Sequence, residues 1–249
     1  MSISKSKFLE IKKFVKSLQI KKYRKQAQCF IVEGSKSVLE LLSSDFEPVL
    51  ILATPAFLKD LPEEQGAAEI IEVSAKELEQ LGEFQTNESA LAVAKMKQNI
   101  LPPVPENEFA LVLDDIRDPG NLGTIIRTAD WYGIKYIIAS EETADFYNSK
   151  VITSTMGSFT RTTVFYTDLE EYLSKAKGDI MGAFLEGVDV HTFNFGKGGF
   201  LVIGNESRGI SPQVERFITQ RITIPRYGRA ESLNAAIATA IVCDNLRRH

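Results

Sequence analysis

Six stretches between residues 107 and 249 are apolar almost without interruption, and helical patterns separate most of them. They are FALVLD (109–114), KYIIAS (135–140), TTVFY (162–166), DIMGAFLEG (179–187), FLVIGNE (200–206) and QRITIP (220–225). A strand that is apolar on both faces has no side to offer water. Such strands belong in a parallel sheet with helices on both faces, and the helices supply the crossovers that parallel pairing needs. The intervening patterns suit that role. NLGTIIRTADWYG (121–133) puts Leu122, Ile125, Ile126 and Ala129 on one face. Residues 149–158, DLEEYLSKAKG and ESLNAAIATAIVCDNLRR give further helices. The expectation is an α/β domain around a mostly parallel sheet, with its ligand site beyond the carboxyl ends of the strands.

The first hundred residues differ. Phe8, Ile11, Val15 and Leu18 recur at helical spacing. FIVEG, PVLILA, EIIEVS and ALAVAKM read as strands, and Ser35 to Leu42 and AKELEQLG as helices. This predicts a small α/β domain over 1–98. Pro102, Pro103 and Pro105 then make 99–106 a stiff, extended linker, because proline cannot sit inside a helix or a central strand. The sheet domain occupies 107–249.

The formal net charge of −4 argues against nucleic acid when read as an average. The distribution argues otherwise. Residues 1–36 carry ten Lys or Arg against Glu10 and Glu33, a net of +8, so the rest is −12. A dense, one-sided basic run is either a solvated helix face or a surface for phosphates. No apolar run approaches the roughly 20 residues that span a bilayer, and no apolar segment follows the charged N-terminus as in a secretory signal. Cys29 and Cys243 stand far apart without metal spacing and read as reduced, buried thiols of a cytoplasmic protein. His191 and His249 are the only histidines, which leaves no metal site to expect; His249, at the C-terminus, is a poor catalytic candidate.

Three loops at strand ends carry the unusual residues. In DDIRDPGNLGTIIRTA, Pro119 and Gly120 turn the chain and Asn121 is placed to cap the following helix. Arg127 lies among apolar helix residues and either snorkels or aims a permanent charge into a site. In LVIGNESRGIS, Gly204 lets a ligand approach the strand end, and Glu206 either acts there or accepts backbone N–H groups to hold the loop. In ITIPRYGRAESLNAAIATAIV, Glu231 or Ser232 opens a helix, and Ser232 and Asn234 either cap it or meet a ligand. From Ser232 to Cys243 no residue is charged, so that helix must be buried in the core or at a subunit interface. Neither GxGxxG, GxxxxGK[ST] nor GxSxG is present in the required setting.

DPGNLGTIIRTA (118–129), GNESRGIS (204–211) and IPRYGRAESLNAAIATA (224–240), in this order, resemble the three motifs of the TrmH/SpoU family of RNA ribose 2′-O-methyltransferases in the SPOUT superfamily. RKQAQCFIVEGSKSVLELL (24–42) is similar, more weakly, to the family's ribosomal-protein-like substrate-binding domain. The resemblance implies a deep C-terminal trefoil knot, a homodimer and S-adenosyl-L-methionine as cofactor. It implies that Gly204, Ile224, Leu233 and Ser232 hold that cofactor. It further implies that Arg127 polarises or deprotonates the ribose hydroxyl, or only orients the substrate, with Asn121, Glu206, Ser232 and Asn234 orienting the arginine and the substrate. The RNA expected is ribosomal, with transfer RNA as the alternative. A non-catalytic RNA-binding or assembly factor on the same fold, and a nucleotide-dependent small-molecule transferase, are the competing readings.

Overall fold

The computed structural model describes residues 4–62, 67–83, 87–100 and 103–248. Pro102 of the expected linker and His249 lie outside the described residues. The chain forms two compact units: Met1–Gln98 with Asp145–Thr160, and Asn99–Ala144 with Arg161–His249.

In the first unit, helices α1 (Lys5–Leu18) and α2 (Lys21–Ala27) lead into β1 (Cys29–Glu33). Then come α3 (Ser35–Leu42), β2 (Pro48–Ala53), α4 (Pro55–Leu58), β3 (Glu69–Glu72), α5 (Ala75–Leu81) and β4 (Ala90–Lys95). Among the described residues the sheet order is β1-β4-β2-β3, with β4 antiparallel to both neighbours and β2 parallel to β3. The spacing read in α1 has its physical outcome here. Val15 and Leu18 are buried, and Phe8 and Ile11 pack partly buried against the same core.

Asp145–Thr160 packs with this unit although it lies far beyond the proline-rich stretch. A division of the chain into 1–98 and 107–249 therefore misses an excursion. This segment holds α7 (Ser149–Ser154) and a 3-10 turn at Ser158–Thr160. Two interactions fasten it. The buried Arg24 guanidinium pairs with Asp145 at 2.6 Å and donates to the carbonyls of Leu18 and Gln19. Phe30 also meets Tyr147 at a tilt and Phe159 edge-on, ring centroids 4.8 and 6.2 Å apart. Arg24 thus leaves the basic surface read from the N-terminal run, because its charge is spent inside.

The second unit contains β5 (Phe109–Asp114), α6 (Pro119–Trp131), β6 (Tyr136–Ala139), β7 (Thr163–Tyr166), α8 (Leu169–Ser174) and β8 (Ile180–Phe184). It continues with β9 (Val188–Asp189), β10 (Gly199–Gly204), α9 (Pro212–Glu215), β11 (Gln220–Thr223) and α10 (Ala235–Arg248). Among the described residues these make a seven-stranded sheet, order β7-β6-β5-β10-β8-β11-β9, every pair parallel. The six expected strands are present; β9, two residues long, was too short to read. Every residue of β5 is buried. Ala110 and Val112 share a core with Phe200, Val202, Leu169, Leu173 and Val214, which is the α8 and α9 side. On α6, Leu122, Ile125, Ile126 and Ala129 are buried, and α10 packs against α6. No helix among the described residues is long and apolar enough to cross a membrane.

Both cysteines are buried and free. Burial pushes the Cys243 thiol from 9.0 to about 12 and the Tyr147 phenol from 10.0 to about 12. In each case the folded protein holds the proton more tightly than the unfolded chain does. Their contribution to stability is intact below about pH 9 and is lost as pH rises toward about 12. The urea midpoint is expected to fall from pH 9 upward, and Cys243→Ala and Tyr147→Phe each to flatten that fall. A midpoint independent of pH up to 11 contradicts this burial.

Candidate functional site

The site begins with strand register. β5 and β10 pair in parallel with Gly204 opposite Asp114, so both strands end at one level. β8 joins β10 to β11, whose last residue is Thr223. The three loops singled out in the sequence therefore leave from the same edge of the sheet, as expected for parallel strands.

Local chemistry then shapes each loop. Asp118, not Asn121, caps α6: its carboxylate accepts the Asn121 N–H at 2.8 Å, and Pro119 occupies the first helical turn. That frees the Asn121 side chain for tertiary contacts. Likewise α10 starts at Ala235, so neither Glu231 nor Ser232 opens it. Asn234 is the cap, its Oδ1 accepting from the N–H groups of Ala236 and Ile237. Ser232 sits exposed in the irregular stretch before the helix.

The three loops are joined by one chain of amides and a carboxylate. The Asn234 Nδ2 group donates to Asn121 Oδ1 at 2.8 Å, and the Asn121 Nδ2 group donates to Glu206 Oε1 at 2.5 Å. An amide can donate at one end and accept at the other, and Asn121 uses both ends. Glu206 is thereby held half-buried with one oxygen satisfied.

The middle loop is built on Asn205, which the sequence reading passed over. Its Oδ1 accepts from the N–H groups of Ser207 and Arg208, and its Nδ2 donates to the Asp115 carbonyl at 2.8 Å. Backbone bonds between Asn205 and Gly209 close the turn, with Gly209 at φ +70°. A Cβ on Gly204 would overlap the backbone of Gly209 and Ile210. The glycine expected to admit a ligand thus admits its own loop first. Asp114 and Asp115 were also missed. Asp114 is buried and accepts the Ser211 N–H at 2.7 Å; Asp115 stands at φ +61°. The usable signal was two acids ending an otherwise apolar strand.

Beside these loops lies a cavity of about 1080 Å³. Gly204, Glu206, Ile224, Ser232 and Leu233 all line it, with Leu185, Ile203 and Val242 giving apolar walls. Asn121 and Asn234 stand behind Glu206 and do not line the cavity. Arg127 is exposed on α6 and is not among the lining residues. The uncharged helix is buried on one side only. Ile237 is 53% exposed, and on α6 Trp131 is 83% exposed.

Gly204→Ala is expected to destabilise the protein by roughly 1–3 kcal/mol through overpacking. Asn121→Ala, which loses two partly exposed hydrogen bonds, is expected to cost about 1 kcal/mol. Urea unfolding measures both; a Gly204→Ala protein as stable as the parent would show that the loop does not need that close approach.

Residues 108–244 match the SpoU rRNA Methylase family, and residues 10–92 match the MRM3-like substrate binding domain. The chain is 30% identical over 238 residues to the 23S rRNA (guanosine(2553)-2′-O)-methyltransferase of Bacillus subtilis, covering 93% of this chain and 94% of that one. An AdoMet-bound rRNA methyltransferase from Sinorhizobium meliloti superposes with a TM-score of 0.85 at 30% identity, covering 96% of this chain and 94% of that one. The SpoU methyltransferase AviRb from Streptomyces viridochromogenes, solved in complex with AdoMet, gives 0.82 at 25% identity, covering 98% of each chain.

Proposed function

Since the chain belongs to the SpoU rRNA methylase family, we propose that it is an S-adenosylmethionine-dependent methyltransferase acting on a ribose 2′-hydroxyl of ribosomal RNA. The observation that carries this reading is the Asn234–Asn121–Glu206 chain, which ties three separate loops together beside one cavity.

The cavity suits the cofactor in size and chemistry. Its volume is just above the usual range of small-molecule sites. Leu185, Ile203, Ile224, Leu233 and Val242 offer an apolar lining for a purine. Residues 224–234 have left the sheet, so ladder bonds do not consume their backbone groups. Gly204, Ile224, Ser232 and Leu233 would hold the cofactor, which supplies a methyl group on a positively charged sulfur. Glu206, fixed by Asn121, presents a carboxylate at the same wall. Arg127 provides a guanidinium cation. A fixed cation of this kind orients the ribose hydroxyl and its neighbouring phosphate, and alignment is the larger part of what such a transfer needs.

A homodimer belongs to the same reading. Trp131, on the helix that bears Arg127, and Ile237 on α10 expose apolar area that a second copy would cover. The trefoil knot at the C-terminal strands and α10 belongs to it too, as does a cytoplasmic setting for two free thiols.

Two experiments test the proposal. Purified protein with labelled S-adenosylmethionine is expected to methylate an unmodified 23S rRNA transcript, with the product mapping to a ribose 2′ position. Arg127→Ala is expected to lower turnover at least 100-fold while cofactor affinity changes less than twofold. Labelling of transfer RNA alone, or parental turnover by Arg127→Ala, defeats the corresponding part.

A further test concerns the basic helices. Deleting residues 1–36 would remove the buried strand β1, so substitutions are the sound test. Lys13, Lys21, Lys22 and Lys25 are exposed on α1 and α2. Their joint replacement by Gln is expected to weaken RNA binding at least tenfold and to reduce the slope of log affinity against log salt by roughly 2 to 3. Filter binding across a salt series measures this, and an unchanged slope refutes it.

A further inference from the structure

Asp115, the first residue after β5, stands in the left-handed conformation, φ +61°, which residues other than glycine adopt rarely. Such a backbone persists only where its surroundings hold it, and here they do. The Asp115 N–H donates to Ser140 Oγ at 3.1 Å, and its carbonyl accepts the Asn205 side-chain amide at 2.8 Å. The carboxylate, whose side chain is only 18% exposed, bonds one arginine and lies near a second from a different loop. Arg117 approaches through Nε at 2.6 Å, and Arg208 through Nη1 at 4.0 Å. Both arginine side chains remain exposed, 57% for Arg117 and 74% for Arg208.

Glu142 also acts on Arg117, so the charge at the rim is balanced; what the pair offers a phosphate is two exposed guanidinium groups, each rich in N–H donors. Because Arg117 is held through Nε, its two terminal nitrogens keep the fork geometry that a phosphate accepts. Arg117 lies one residue before Asp118, which caps α6, and Arg208 lies two residues after Glu206. The pair is thus carried by the same loops as the Asn121–Glu206 bond.

We propose that Arg117 and Arg208, poised on Asp115, form a clamp for an RNA backbone phosphate next to the nucleotide presented for methylation. The clamp rests on the methyl-transfer reading above. Arg117 and Arg208 act as positioning residues, and Asp115 sets their separation.

The test uses the full-length protein, an unmodified 23S rRNA transcript and labelled S-adenosylmethionine. The double variant Arg117→Ala/Arg208→Ala is expected to raise the KM for RNA about tenfold. Arg208 also lines the cavity, so the assay is run at saturating S-adenosylmethionine; kcat at saturating RNA should stay within twofold, and the salt slope of RNA binding should fall by about 1 to 2. Arg117→Lys/Arg208→Lys keeps the charge and should restore most of the slope. Asp115→Asn, which releases the guanidinium groups, should raise the KM several-fold by itself. A KM and salt slope within twofold of the parent overturn the clamp. So does a fall in kcat with no change in slope, which would mean that the pair merely stiffens the loops. If the parent protein transfers no methyl group, the methyl-transfer reading fails, whereas filter binding of the same RNA still reads the clamp directly.

Discussion

The level at which β5 and β10 end is the constraint on which the site depends. Gly204 and Asp114 are partners in a parallel ladder, so the loops after them start side by side. Parallel pairing has a second consequence. Each strand must be buried on both faces, and the helices that bury it return the chain to begin the next strand in the same direction. All connections of one kind then collect at one edge. Asn121, Glu206 and Asn234 are far apart in the chain and meet because three loops share that edge.

The loops are stiffened before any ligand is considered. Asn205 satisfies two backbone N–H groups within its own loop and one carbonyl of the loop after β5. Asp118 and Asn234 cap the two helices that flank the site. Each bond contributes about 1 kcal/mol, but their shared effect is geometric. Asn121 and Glu206 are held in one arrangement, so little ordering cost falls on substrate binding. The same economy explains Gly204, whose missing Cβ lets Gly209 and Ile210 close over the strand end.

The first unit obeys a different logic. Its basic residues look alike in the sequence, yet Arg24 is buried and pairs with Asp145 while Lys13, Lys21, Lys22 and Lys25 face water. Periodicity places Val15 and Leu18 inside but says nothing of a partner more than a hundred residues away. The excursion Asp145–Thr160 escaped notice for this reason. Its aromatic anchors, Tyr147 and Phe159, lie in a stretch without the regular spacing that marks a long helix or strand.

Apolar runs and their spacing were enough to determine the α/β class, the parallel sheet and the three loops that carry chemistry. These follow from local rules: strands apolar on both faces must be covered, and ligands meet strands at their carboxyl ends. The motifs also specified which residue types stand at the site. Only the tertiary structure decided their tasks. Asp118 took the cap and released Asn121, Asn234 rather than Ser232 began the last helix, and Asp115 gathered two arginines. A side chain has several partners within reach of its own segment. Which one it takes depends on the groups that folding brings from elsewhere, and their positions are set by packing rather than by sequence spacing.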